Sequence, residues 1–124
     1  MITPQGGPEP DREKHPAGEV VGLPAQGEWL LAEAEVAEAG RASQTVVEVP
    51  GLSVTLMALK EGRGLAEHRA PGAATLLCLT GRVSLSTVDR SWRLEPRELI
   101  AIPGERHRLT AEADSLVLLT VRLD

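Results

Sequence analysis

From Gly40 onward, apolar and polar residues alternate in short runs that end at turn-forming residues. Residues 45–49 and 52–59 flank Pro50-Gly51, a pair typical of the tight turn between two strands. A period of two places successive side chains on opposite faces of an extended chain, so these runs predict strands. Further strand-like runs follow at 73–80, 82–88, 91–94, 98–102, 106–110 and 115–123. Many short strands separated by turns predict an antiparallel sandwich or barrel over residues 41–124.

The first 40 residues have a different composition. Residues 1–27 hold five of the nine prolines and five of the twelve glycines, which disfavour regular structure and predict a flexible N-terminal tail. His15 lies within this tail and is expected to be solvated. Residues 28–40 are rich in Ala, Leu and Glu and end at a glycine, which predicts a short helix or arm with Trp29 as its anchor.

Charge and aromatic content exclude some classes of partner. Residues 1–40 carry a net charge of −6 and residues 41–124 a net charge of +1, so no basic surface for nucleic acid is predicted. The only aromatic residues are two tryptophans, too few for base stacking. No apolar run approaches the roughly 20 residues that span a bilayer. A single cysteine forms no internal disulfide, which favours a cytoplasmic location.

Two segments, taken together, resemble the two sequence motifs of the cupin superfamily. In residues 62–81, His68 follows a glycine-containing lead-in, and a glycine closes the segment. In residues 95–107, a strand-like run ends in a proline-glycine turn with His107 just beyond it. The resemblance implies an all-β, cupin-type double-stranded β-helix, which is a jelly-roll barrel, here with a mobile N-terminal arm.

The resemblance also implies a degenerate metal site. In metal-binding cupins, two histidines and a carboxylate of the first motif and one histidine of the second hold a divalent ion. His68 and His107 match two of these positions, whereas Ala70 and Ala74 replace the second histidine and the carboxylate. Arg97 stands where the second motif usually has glycine. The implied cofactor is one divalent ion (Zn, Ni, Mn or Fe) on His68 and His107.

The strand after the first motif supplies further candidates. If position 74 faces the interior, Leu76, Cys78 and Thr80 share that face. The predicted ligand-binding residues are therefore His68, Leu76, Cys78 and His107. Cys78 is either a third metal ligand or a small core residue. The turn before His107 is one residue shorter than in the family pattern, and a one-residue slip reverses a strand's faces, so the direction of His107 stays open.

Three functions are consistent with these residues. The first is binding of a small molecule inside the barrel, with or without a divalent metal. The second is a metal-dependent enzyme of oxygenase or isomerase type. The third is a structural or dimerisation protein whose barrel is filled by its own side chains. The sequence contains no Ser–His–Asp order, paired carboxylates or phosphate-binding loop, so no catalytic residue is assigned.

The last strand favours a homodimer. Residues 116–123 are apolar on both faces apart from Thr120 and Arg122, so both faces need a cover. In a domain of this size a partner subunit is the expected cover. Apolar residues predicted on outward faces are Leu77, Leu79, Val117, Leu119 and Val121.

Overall fold

The structure, a computed structural model, describes residues 14–68 and 72–123, with the backbone alone for residues 67 and 68. Within these residues, one helix, α1 (Leu23–Val36), precedes nine strands. The strands are β1 (Arg41–Val49), β2 (Leu52–Leu59), β3 (Gly64–His68), β4 (Ala74–Thr80), β5 (Val83–Ser86), β6 (Ser91–Leu94), β7 (Leu99–Ala101), β8 (His107–Ala111) and β9 (Ser115–Arg122).

The strands form two antiparallel sheets. The five-stranded sheet has the order β1-β2-β9-β4-β7, and the four-stranded sheet has the order β3-β8-β5-β6. The prediction of an all-β jelly roll is confirmed. Strand β3 was not among the predicted strands, because two glycines near its start have the composition of a turn.

The main core lies between the two sheets. Its members are the inward-facing residues of both sheets, as the alternating burial of β4, β5 and β8 shows. The buried residues of this inner core are Met57, Leu59, Leu76, Cys78, Val83, Leu85, Leu94, Leu109, Ala111 and Val117. Polar residues occupy the alternate positions of β5 and β8. The outer face of the four-stranded sheet is therefore in contact with solvent.

Helix α1 covers the outer face of the five-stranded sheet. Leu30 and Ala34 are almost fully buried against Val46 and Leu56, which point away from the inner core. Trp29 is only half-buried, so Leu30 rather than Trp29 anchors the helix. The helix also begins before residue 28, because its proline lies at the first helical positions, where no backbone N–H is needed.

A partner subunit was predicted because both faces of β9 need a cover, and the position of α1 changes that argument. Leu116 and Leu118 of β9 lie on the outer face, within the cluster that α1 covers. Val117 and Leu119 face the inner core instead, so their predicted outward direction was wrong. The chain's own helix therefore supplies the second cover that β9 requires.

His15 is buried rather than solvated. Its backbone N–H donates to the Val46 carbonyl at 2.8 Å, and its ring Nδ1 lies 2.9 Å from the same oxygen. It forms a parallel bridge with Val47, which adds one residue to the edge of β1. The prediction of a solvated His15 was wrong because this pairing partner is distant in sequence. Residues 1–13 lie outside the described part of the chain, so their predicted mobility stays a prediction.

An ion-pair network joins the end of α1 to the barrel. The Lys60 ammonium contacts the carboxylates of Glu35 and Asp114, and Asp114 also accepts the Glu61 backbone N–H at 2.9 Å. The hydrogen bond from Glu35 and then that from Asp114 raise the pKa of Lys60. The Glu61 N–H and then Lys60 lower the pKa of Asp114. The network therefore stabilises the fold at neutral pH and weakens as pH falls through the Asp114 pKa or rises through that of Lys60.

No helix in the described residues is long and apolar enough to cross a membrane.

Candidate functional site

His107 faces the barrel interior, which answers the question that the shortened turn left open. It is the first residue of β8 and is 2 % exposed. Its ring Nδ1 lies 3.0 Å from the Glu105 carbonyl oxygen. Because a carbonyl oxygen only accepts hydrogen bonds, Nδ1 carries a proton in this contact.

His107 is the only polar residue lining an apolar cavity between the sheets, as far as the described residues show. The other lining residues are Met57, Leu65, Leu76, Leu85, Ile102, Leu109, Val117 and Leu119. Leu76 lines this cavity, and its predicted role in ligand binding stays a prediction. The cavity volume is about 20 Å³, close to the room needed for one water molecule and far below the roughly 300 Å³ of small ligand pockets.

Apart from Leu76, the apolar lining residues were not predicted to line a site, and Val117 and Leu119 were predicted to face outward. Each is an inward-facing member of a strand or of the turn before β8, and alternation marks it as a core candidate. What the sequence does not show is which inward residues of different strands meet. That depends on the strand order and the register of the barrel.

The backbone brings the two candidate histidines together. His68 is the last residue of β3 and lies directly opposite His107 of β8 in the strand register. An irregularity between Leu65 and His68 sets this pairing. The side chain of His68 lies outside the described residues, so its predicted role in ligand or metal binding stays a prediction.

Cys78 does not join His107. Its side chain is fully buried in the inner core, and its Sγ donates to the Thr80 carbonyl at 3.5 Å. Burial raises the pKa of the Cys78 thiol, and the carboxylates of Glu95 and Glu98 raise it further, so the neutral thiol is favoured. An irregularity in β4 after Cys78 leaves Thr80 exposed rather than inward.

The described donor groups do not fit the implied metal cage. Where side chains are described, no three His, Cys, Asp or Glu residues come together as a metal-binding group. Structural zinc sites use four protein ligands, and catalytic sites usually use three. His107 is the only described donor at the cavity.

Arg97 departs from the family pattern at a position with a left-handed backbone. Its φ is +71°, and it is the one described residue other than glycine with positive φ. The turn that contains it is held to β4, since the Arg97 N–H donates to the Cys78 carbonyl and the Cys78 N–H to the Glu98 carbonyl. The usual glycine of the motif would adopt this conformation without strain.

Replacing Arg97 with glycine is therefore expected to raise the free energy of unfolding by about 0.5–1 kcal/mol. Glycine relieves about 1–2 kcal/mol of strain from the left-handed backbone, which stabilises the folded state. It also gives the unfolded chain more conformational entropy, which costs roughly 0.4–1 kcal/mol and is the smaller effect. Urea unfolding followed by circular dichroism measures the change. Arg108→Gly is the control, because Arg108 is an exposed arginine within β8 and the same entropy should lower stability there. A loss of stability in Arg97→Gly similar to that in Arg108→Gly would contradict the explanation.

Comparison with known proteins supports the fold. No protein-family model and no curated protein matches the sequence. Among solved structures, a protein of unknown function from Streptococcus pyogenes matches with a TM-score of 0.68 and 23 % identity, covering 92 % of this chain and 93 % of that one. A cupin superfamily protein from Desulfitobacterium hafniense matches with a TM-score of 0.64 and 19 % identity, covering 73 % and 87 %. A salicylate 1,2-dioxygenase from Pseudaminobacter salicylatoxidans matches with a TM-score of 0.65 and 17 % identity, covering 75 % of this chain and 32 % of that one.

The three matches differ in how much of this chain they include. Residues 41–124 make up about two thirds of the chain, so all three matches reach into residues 1–40, and the match over 92 % includes most of those residues. The S. pyogenes structure therefore shares more than the barrel. Identities this low define the fold and leave the activity open. The strand order, the two motif positions and these structures agree that the chain has the cupin jelly-roll fold.

Proposed function

We propose that this chain is a small-molecule-binding cupin in which His107 makes the polar contact with the ligand. The observation that carries the proposal is a nearly fully buried imidazole that lines an otherwise apolar cavity. The ligand group that we propose for this contact is a hydroxyl, which can donate a hydrogen bond to a ring nitrogen. Such a convergence of apolar walls with one oriented polar group is typical of ligand sites.

The cavity volume limits the ligand. A space of about 20 Å³ accepts one small group, such as a hydroxyl, and excludes a ring or a branched chain. The ligand therefore inserts one end, while its remaining atoms lie outside the cavity. The His68 position, opposite His107 in the register, is where a second polar contact is proposed.

A ligand that uses the imidazole is expected to raise the melting temperature of the wild-type protein and to bind His107→Leu roughly five- to tenfold more weakly. A thermal-shift screen of small alcohols and hydroxy acids measures this. Ile102→Val is the matched control, because it alters the same wall by one methyl group and leaves the imidazole in place. Equal stabilisation of His107→Leu and wild type by every active compound would contradict the role of His107.

A divalent ion is the second proposal, and the opposed positions of His68 and His107 favour it. Two imidazoles supply fewer ligands than a stable site normally has, so binding is expected to be weak. The same screen therefore includes Zn, Ni, Mn and Fe(II), with elemental analysis of the purified protein. A metal-dependent shift that His68→Ala and His107→Leu each abolish would support the ion. It would also keep the metal-dependent oxygenase or isomerase alternative open.

A filled barrel is the competing proposal, and the small cavity favours it. In a filled barrel the imidazole contributes packing and its contact with the Glu105 carbonyl, so His107→Leu should still fold and lose no more than about 1–3 kcal/mol of stability. Failure of all compounds and ions to stabilise wild type, together with a stable His107→Leu variant, would support the structural role.

A homodimer also remains a proposal. Helix α1 covers β9, so the apolar outer face of β9 no longer argues for a partner subunit. Leu77 on the outer face of β4 still does, because it is half-buried and lies outside the cluster that α1 covers. Light scattering at micromolar concentration distinguishes dimer from monomer.

A further inference from the structure

Helix α1 leaves one side of the five-stranded sheet uncovered. The helix lies mainly over β1 and β2 and touches β9, whereas the sheet continues from β9 to β4 and β7. The register and the inward direction of Leu76, Cys78 and Val117 identify the outward positions of these three strands. They are Thr75, Leu77, Leu99, Ala101, Leu118 and Thr120. None of these residues is charged, so this outer patch is an apolar surface with two hydroxyl groups.

Leu99 projects from the outer patch. It is 64 % exposed, whereas Leu77, its register partner on β4, is half-buried. Strand β7 is three residues long and forms the edge of the sheet, so Leu99 has a neighbouring strand on one side only. Removing a side chain of this size from water is favourable, which makes Leu99 a candidate for burial against a partner.

A cavity of about 200 Å³ lies on the side of the outer patch that is nearer to α1. Its walls are Leu23 and Pro24 of the first helical turn, Leu79 and Thr80 of β4, and Leu116 of β9. The surface inside this helix-side cavity is apolar, and the cavity opens to the exterior. Its volume is below the roughly 300 Å³ of small ligand pockets and is enough for one aliphatic side chain.

Leu99 and the helix-side cavity are placed for reciprocal contact between two identical copies. Leu99 lies opposite Leu77, whereas the cavity lies beside Leu79, two residues further along β4 and toward β9. A strand spacing of about 4.8 Å and a rise of about 3.3 Å per residue put them roughly 10 Å apart. When two identical faces pack together, their twofold axis runs in the plane between them. An axis that crosses the line from Leu99 to the cavity at its midpoint, at right angles, brings each Leu99 against the other copy's cavity.

We propose that, in the homodimer proposed above, two copies meet through their outer patches, with Leu99 of each subunit in the helix-side cavity of the other. Charge supports a second copy as the occupant, because a charged patch would repel its own image across a twofold axis and this patch carries no charge. Thr75 and Thr120 are direct neighbours in the β4–β9 register. Their hydroxyls both donate and accept hydrogen bonds, so each can pair with its own kind.

The size of the outer patch sets the expected affinity. Three strands at a spacing of about 4.8 Å make a surface roughly 15 Å wide, which is at the low end for a specific interface. We therefore expect a dissociation constant in the micromolar range. Size-exclusion chromatography with light scattering, at protein concentrations from about 1 to 200 μM, covers that range.

Leu99→Asp is expected to weaken the dimer at least about tenfold, because each subunit would place a carboxylate in an apolar cavity of the other. Val88→Asp is the matched control, since Val88 is 88 % exposed between β5 and β6 and receives the same charge away from the outer patch. Circular dichroism confirms that both variants are folded. Equal dimerisation of the two variants would overturn the outer patch as the interface and leave the homodimer proposal standing. A wild-type protein that is monomeric at the highest concentration would overturn both.

A pair of cysteines tests the reciprocal contact directly. Pro24 lines the helix-side cavity and Leu99 does not, so Pro24→Cys combined with Leu99→Cys is expected to form a disulfide only between subunits. Oxidised glutathione should convert this double variant to a covalent dimer on a non-reducing gel. Pro24→Cys combined with Val88→Cys should stay monomeric on the gel, and the native Cys78 is fully buried in both. Equal amounts of covalent dimer in the two double variants would overturn the contact between Leu99 and the cavity.

Discussion

Gly64→Ala is expected to lower the free energy of unfolding by about 3 kcal/mol, at the upper end for overpacking of a well-packed site. A Cβ at this position would lie 1.9 Å from the Leu109 carbonyl oxygen and 2.9 Å from the Thr110 Cα. Both atoms belong to the backbone of β8, so no side-chain rotation relieves the contact. Among the described strands, β3 pairs with β8 alone and lies at the sheet edge, so the two strands have to separate.

The same substitution tests the candidate site. The pairing that begins with Gly64 opposite Thr110 ends with His68 opposite His107. A displaced β3 would therefore remove the opposition of the two histidines. If both histidines contact a ligand or ion, Gly64→Ala should abolish the stabilisation that the compound gives the wild-type protein.

Gly104→Ala is the matched control for Gly64→Ala. An added Cβ at Gly104 meets nothing within 4 Å, and the backbone there is not left-handed. Alanine should change the free energy of unfolding by less than about 1 kcal/mol. It can raise that free energy, because it lowers the conformational entropy of the unfolded chain. Urea unfolding followed by circular dichroism compares the two. An unfolding midpoint for Gly64→Ala equal to that of Gly104→Ala would show that the strands do not approach as closely as the structure has them.

The two glycines at the start of β3 illustrate how far local sequence carries the fold. Gly62 is a turn residue, with φ of +83°, as its composition predicts. Gly64 is required instead by the close approach of β8, a partner more than forty residues away. Alternation and turn residues locate the other strands because those signals are local. They do not report which strands pair.

In the candidate site, too, local sequence predicts some features, and others depend on which strands pair. The motif resemblance located His68 and His107, but the direction of His107 depends on register, and one residue reverses it. Cys78 shares the inward face with Leu76, as predicted, yet only Leu76 reaches the cavity. Alternation predicts which face of a strand a side chain lies on. How far that side chain lies from the cavity along the barrel axis depends on how the strands assemble into sheets. His15 was misassigned for a similar reason, since its partner Val46 is 31 residues away.

Leu30→Ala is expected to destabilise the protein by about 2–5 kcal/mol, the usual cost of truncating a fully buried leucine. Leu30 is 1 % exposed and packs with Val46, Leu56 and Leu116 on the outer face of the five-stranded sheet. These contacts make α1 a layer of the fold rather than an attached arm. The unfolding transition should remain single and shift to lower urea, because the helix and the sheet share one apolar cluster.

Val36→Ala on the same helix is the control for Leu30→Ala. Val36 is 84 % exposed, so its truncation should change stability by no more than about 0.5 kcal/mol. If α1 were an independent arm, Leu30→Ala would leave the barrel's unfolding midpoint unchanged and remove only the helical signal. That result would restore the need for another cover over Leu56 and Leu116, and a second copy of the chain would again be the expected cover.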